Sequence, residues 1–250
     1  MLIDTHCHLL SSEYDDVDKE IKEALKGGVD KIIINGFDVA SSNEAVALSK
    51  RYPEVYAAVG IGPENVNATS DDDIKKIKEL ASNEKVVAIG EIGLDYYWTK
   101  ENKEKQNSVF KNMLRIAKEM NLPVIVHSRQ AIQDTYDLLT EYNVTGILHC
   151  YSGSVEMAKE FIKKGFLIGV GGVVTFKNAK TLKNVVKETS LDDISLETDS
   201  PYLSPEPFRG KTNNPSKLRY IIKEIALLKG VSEKEVTDRT SLAVTSKFDL

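Results

Sequence analysis

A chain of 250 residues with 41% apolar and 28% charged residues has the size and composition of one large globular α/β domain. Its net charge of −5 and pI near 5.5 exclude the bulk basic footprint of a non-specific duplex binder, so any phosphate must be handled by local Lys/Arg groups or bound metal. No apolar run reaches the ~20 residues of a membrane span, and no leader-like stretch precedes Asp4, which points to a cytoplasmic protein.

Short β-branched runs alternate with longer charged segments that carry apolar residues at helical spacing. Strands are predicted at Leu2–Thr5, Lys31–Asn35, Val55–Ile61, Val86–Gly90, Val124–His127, Gly146–His149, Phe166–Val170 and Ile194–Glu197. Helices are predicted at about 15–27, 40–51, 70–82, 101–121, 130–142, 154–164 and 178–189, with a pair at about 215–229 and 232–248 after the last strand. Thr69 or Ser70, and Ser154, are the expected N-caps of their helices. Eight β units each followed by α, with no break in composition or charge pattern, predict a single-domain (β/α)8 TIM barrel over residues 1–250. A doubly wound open sheet is the structural rival. It would gather its site at one switch point, whereas here candidate ligands end the first, fourth, fifth, sixth and eighth strands.

All four histidines, His6, His8, His127 and His149, stand at the ends of apolar runs. His6 and His8 form an H-x-H pair, and residues two apart on a strand point the same way, so both reach one ion while Cys7 points away. Each of the two cysteines, Cys7 and Cys150, adjoins a histidine, without C-x-x-C spacing. Both are expected to be small buried hydrophobes rather than ligands. Glu91 lies between Gly90 and Gly93 after the fourth strand, and Asp199 follows the eighth. Four imidazoles and two carboxylates suffice for two divalent ions, Zn²⁺, Mn²⁺ or Mg²⁺, if one carboxylate bridges. Two such ions would hold a hydroxide between them as the nucleophile for a phosphoester, an amide or a lactone. Some two-metal barrels bridge with a carbamylated lysine after the fourth strand. Glu91 at that position weakens a phosphotriesterase-like or dihydroorotase-like reading.

The stretches DTHCHL, GEIGLDYYW, PVIVHSR, HCYSG, ETDSPYL and PFRGKTNNP, in this order and spacing, resemble the TatD family of metal-dependent deoxyribonucleases over essentially the whole chain. The resemblance implies that His6, His8 and Asp199 hold one metal, that His127 and His149 hold the other, and that Glu91 bridges. It implies hydrolysis of DNA phosphodiesters, exonucleolytic from a 3′ end, on DNA that is single-stranded or offers a 3′ end, with Asp199 helping to deprotonate the attacking water. Arg129 and Arg209 are the candidate phosphate contacts; the alternative for each is a rim pairing with a local carboxylate. Tyr96, Tyr97 and Trp98 read either as a stacking platform for bases or as a packed lid. Asp95 reads equally as a cap of the following turn, and Asp4 and Glu197 as partners of histidine N–H groups. The chain departs from the family where Gly62 replaces a usual His and Asn214 a usual Glu. A hydrolase of small amides, esters or phosphodiesters using the same ions is the alternative function, and a non-catalytic metal-holding adaptor the third.

Overall fold

A computed structural model describes residues 1–98 and 101–250. Its strands are β1 (Ile3–Cys7), β2 (Lys31–Asn35), β3 (Val55–Val59), β4 (Val86–Asp95), β5 (Val124–Arg129), β6 (Gly146–Leu148), β7 (Leu167–Val170) and β8 (Ile194–Leu196). The helices are α1 (Val17–Lys26), α2 (Val39–Arg51), α3 (Asp71–Leu80), α4 (Lys103–Met120), α5 (Ile132–Tyr142), α6 (Val155–Lys163), α7 (Lys180–Glu188), α8 (Leu218–Lys229) and α9 (Glu233–Thr245). The strands lie in one sheet in chain order, β1 to β8. β1 pairs with β2 on one side. On the other, Cys7 bridges to Ser200 beyond β8, and the His8 N–H donates to the Ser200 carbonyl at 2.7 Å. An open sheet would leave the outer side of β1 unpaired, so the open-sheet rival falls and the fold is a (β/α)8 TIM barrel. Among the described residues, no helix is long and apolar enough to cross a membrane.

Contacts group the chain into two compact units, Met1–Ile34 with Cys150–Lys247, and Asn35–His149 with Phe248–Leu250. In the first, Ile3, Ile32, Ile168 and Ile194 are fully or almost fully buried, and so are Leu218, Ile221, Ile225 and Val236 of the closing helix pair. Each such side chain contributes roughly 1.5–3 kcal/mol by leaving water. Pro215–Lys217 forms a 3-10 turn, so α8 starts later than the periodicity predicts. Asn214 caps that turn by accepting from the Ser216 N–H at 2.9 Å, and its amide donates to Glu20 at 2.8 Å. The β1–β2 register shifts between Asp4 and Cys7, around His6, an irregularity of the kind that re-aims side chains.

In the second unit, β4 continues five residues past its predicted end. Gly90 and Gly93, which flank Glu91, serve close approach of β4 to β5. Register with β5 shifts between Ile89 and Ile92, then resumes as Ile92↔Val126, Gly93↔His127, Leu94↔Ser128 and Asp95↔Arg129. Gly93 sits at φ +140, and a Cβ there would lie 2.0 Å from the His127 carbonyl oxygen, so only glycine fits. Ser70 caps α3 in a reciprocal box with Asp73, and the acidic run 71–73 occupies the first turn as expected. Strands β6 and β8 stop one residue short of prediction. Cys150 therefore lies outside the strand, at φ +44 and half-buried. Strand alternation does not govern it, which corrects the expected burial; Cys7 is fully buried, as expected.

Candidate metal centre

Each unit assembles one cluster of donors. In the first, His6 and His8 extend from the end of β1, with Nε2 atoms 3.2 Å apart. Asp199 Oδ1 lies 3.6 Å from each. The backbone fixes this meeting. The Asp199 N–H donates to the His6 carbonyl at 2.9 Å and its carbonyl accepts from Tyr202 N–H at 2.8 Å. Asp199 takes φ +54, a conformation in which Asp is enriched.

Below it, fully buried Asp4 accepts from the backbone N–H groups of His6 at 3.2 Å and Thr198 at 3.1 Å, and from the Thr198 hydroxyl. Burial raises its pKa to about 7 against the lowering effect of those hydrogen bonds. Asp4 thus steadies the backbone that carries His6. Asn213 donates to the carbonyls of Thr198 at 2.9 Å and Tyr202 at 2.8 Å, holding the loop after β8. Glu197 accepts from the Cys150 N–H.

In the second unit, Glu91 Oε1 lies 3.1 Å from His127 Nδ1 and 3.5 Å from His149 Nε2. Those two nitrogens are 3.4 Å apart. Again the backbone sets the positions: Glu91 N–H donates to Gly36 O at 2.6 Å and His149 N–H to Val126 O at 3.0 Å. Asp95 performs two tasks. Its Oδ2 lies 3.0 Å from His127 Nε2, while Oδ1 accepts from the N–H groups of Tyr97 at 2.8 Å and Trp98 at 3.3 Å. Burial works against a charged His127, but the contacts to Asp95 and Glu91 outweigh it and raise its pKa to about 9. Burial likewise pushes Asp95 upward, and its hydrogen bond with His127 and that from Tyr97 outweigh it, holding the carboxyl below the usual range.

The two donor sets suit divalent ions. Tetrahedral ligands at about 2.0–2.2 Å from a metal stand about 3.3–3.6 Å from one another. The triangles here measure 3.2, 3.6 and 3.6 Å, and 3.1, 3.4 and 3.5 Å. Each combines two imidazole nitrogens with one carboxylate oxygen, a set that fits Zn²⁺ or Mn²⁺. Donor atoms turned on one another this closely are held by a shared proton or by a cation. His127 shows both options, since a metal on Nδ1 would take the place of the proton shared with Glu91 while Asp95 keeps Nε2.

The phosphate candidates sit on aromatic rings. Arg129 lies 3.9 Å from the ring centre of Tyr97 and 5.4 Å from that of Trp98, and Arg209 lies 4.4 Å from that of Phe176. Among the described residues, neither has a carboxylate partner. The three-aromatic run divides. Tyr96 is buried, with its hydroxyl bonded to Asp134 at 2.8 Å and Asn107 at 3.0 Å, so it is no platform. Gly62 is buried, its N–H donating to Phe37 O at 2.8 Å; a Cβ there would stand 3.3 Å from Phe37 Cβ. The tasks of Asp95, Thr198 and Asn213 are the ones sequence reasoning missed or left open.

Residues 3–249 match the model of a family described as TatD related DNase. The chain is 44% identical over 245 residues to the uncharacterized metal-dependent hydrolase YabD of Bacillus subtilis, with 96% of each chain covered. To the uncharacterized metal-dependent hydrolase YcfH of Escherichia coli it is 37% identical over 247 residues, covering 96% of this chain and 92% of that one. Among solved structures, the TatD homolog YjjV of Escherichia coli aligns over 100% of this chain and 98% of its own, with a TM-score of 0.93 and 30% identity. A TatD family hydrolase of Entamoeba histolytica, 22% identical and matched over 99% of this chain and 97% of its own, shares the fold with a TM-score of 0.88.

Proposed function

Because this chain belongs to the TatD-related DNase family of metal-dependent hydrolases, we propose that it cleaves DNA phosphodiester bonds with two divalent ions, removing nucleotides from a 3′ end. The carrying observation is the pair of matched triangles, each of two imidazole nitrogens and one carboxylate oxygen. In this reading His6, His8 and Asp199 would hold one ion, and Glu91, His127 and His149 would hold the other. When bound, the ions supply positive charge to the phosphate oxygens and lower the proton affinity of an attacking water.

The remaining work falls to the chain. Asp199, 14% exposed at its side chain and 3.6 Å from each of the two imidazoles, accepts the proton of the attacking water. Asp95 keeps His127 turned so that Nδ1 faces Glu91. Arg129 and Arg209 grip phosphate oxygens through guanidinium groups that no described carboxylate neutralises.

The test is cleavage of 3′- and 5′-labelled single-stranded DNA with Mg²⁺ or Mn²⁺ against EDTA, beside Glu91→Ala. Metal-dependent laddering from the 3′ end that vanishes in the variant is the expected result. Intact DNA from a metal-loaded wild-type protein overturns the nuclease reading and turns attention to small esters and amides.

A further inference from the structure

The chain holds a single tryptophan, and it stands 66% exposed on the loop after β4 beside Tyr97, itself 50% exposed. Such large apolar faces in water need a reason. The loop is built to present them. Asp95 Oδ1 accepts from the Tyr97 and Trp98 N–H groups, an Asx-type turn that fixes the backbone. Tyr96 anchors the loop inward through Asp134 and Asn107, and its N–H donates to the Arg129 carbonyl at 2.9 Å. Tyr97 and Trp98 meet edge to face with ring centres 4.9 Å apart. The Arg129 guanidinium lies over Tyr97 at 3.9 Å, held by cation–π attraction while its N–H donors stay unspent on any described carboxylate.

This assembly is registered to the metal cluster. The carboxylate that shapes the loop also holds His127 Nε2 at 3.0 Å. Arg129 follows His127 by two residues on β5, about 6.6 Å along the strand. Resting on the nuclease reading above, we propose that Tyr97, Trp98 and Arg129 form a subsite for one unpaired nucleotide neighbouring the cleaved bond. Its base stacks on Trp98 and its phosphate takes the Arg129 donors. A base inside a duplex has both faces covered, so only an unpaired one offers a face to the indole.

Trp98 reports on its own environment. In EDTA, titration of the wild-type protein with a short oligothymidylate quenches its fluorescence saturably, with the midpoint that anisotropy of the labelled oligonucleotide gives. Trp98→Leu lowers the ratio of kcat/KM on oligonucleotide to that on bis(p-nitrophenyl) phosphate about tenfold, and Trp98→Phe recovers it to within about threefold. Arg129→Gln weakens binding and flattens its salt dependence by about one phosphate contact. Binding by anisotropy without quenching, or an unchanged substrate ratio in Trp98→Leu, overturns the subsite while leaving the nuclease reading standing. A wild-type protein that neither binds nor cleaves the oligonucleotide overturns both.

Discussion

Asp95 carries two demands that separate cleanly by substitution. Asparagine keeps an oxygen to accept from Tyr97 and Trp98 and is itself a good turn former. It removes the negative charge that faces His127 Nε2 at 3.0 Å and with it the preference for a lone pair on Nδ1. Asp95→Asn is therefore expected to leave the loop intact and to weaken one of two bound ions about 10–100-fold, the usual cost of losing a carboxylate behind a metal-binding histidine. Calorimetric titration with Mn²⁺ checks this; two unchanged binding steps would remove Asp95 from the metal centre. The donors themselves were legible because H-x-H and strand-end placement follow from the period of a strand. The Asp95 contact was not, because it depends on β4 running on beyond Glu91.

That continuation is a property of the element. The apolar run ends the predicted strand at Gly90, yet the pairing of residues 92–95 with 126–129 recovers backbone hydrogen bonds that a loop would have to find elsewhere. Tertiary pairing overrides local preference here, and glycine is what permits the close approach. Gly93→Ala would force a Cβ to 2.0 Å from the His127 carbonyl oxygen at φ +140. Backbone strain and steric overlap together cost about 2–6 kcal/mol. Urea unfolding in EDTA measures the cost, and metal titration of the surviving folded fraction should show the ion at His127 weakened. Ser70→Ala is the contrast. Loss of the α3 cap costs about 0.5–2 kcal/mol and leaves metal content untouched. A Gly93→Ala protein as stable as wild type would show that β4 tolerates separation from β5.

At the scale of the whole molecule, closure was the least legible feature. The Cys7–Ser200 bridge joins residues far apart in sequence, and no local pattern encodes it; eight β/α units predict the barrel, and candidate ligands at the ends of five strands favour it over an open sheet. Those ligands leave a thermodynamic signature. Two pairs of imidazoles and two carboxylates lie within 3.1–3.6 Å, a concentration of donors that the folded chain holds ready and the unfolded chain scatters. An ion that binds only the folded state stabilises it by RT ln(1 + [L]/Kd), about 2.7 kcal/mol per site at 100 times Kd. For a chain of this size, about 2–4 °C per kcal/mol gives a rise in Tm of about 5–11 °C per occupied site. Scanning calorimetry of the metal-loaded protein and of the same protein in EDTA should show this shift twice over. His127→Ala, which breaks only the second triangle, should keep the first site's share. Equal Tm values with and without saturating metal would mean that the donors are satisfied by protons and hydrogen bonds alone, and the two-ion reading would fall.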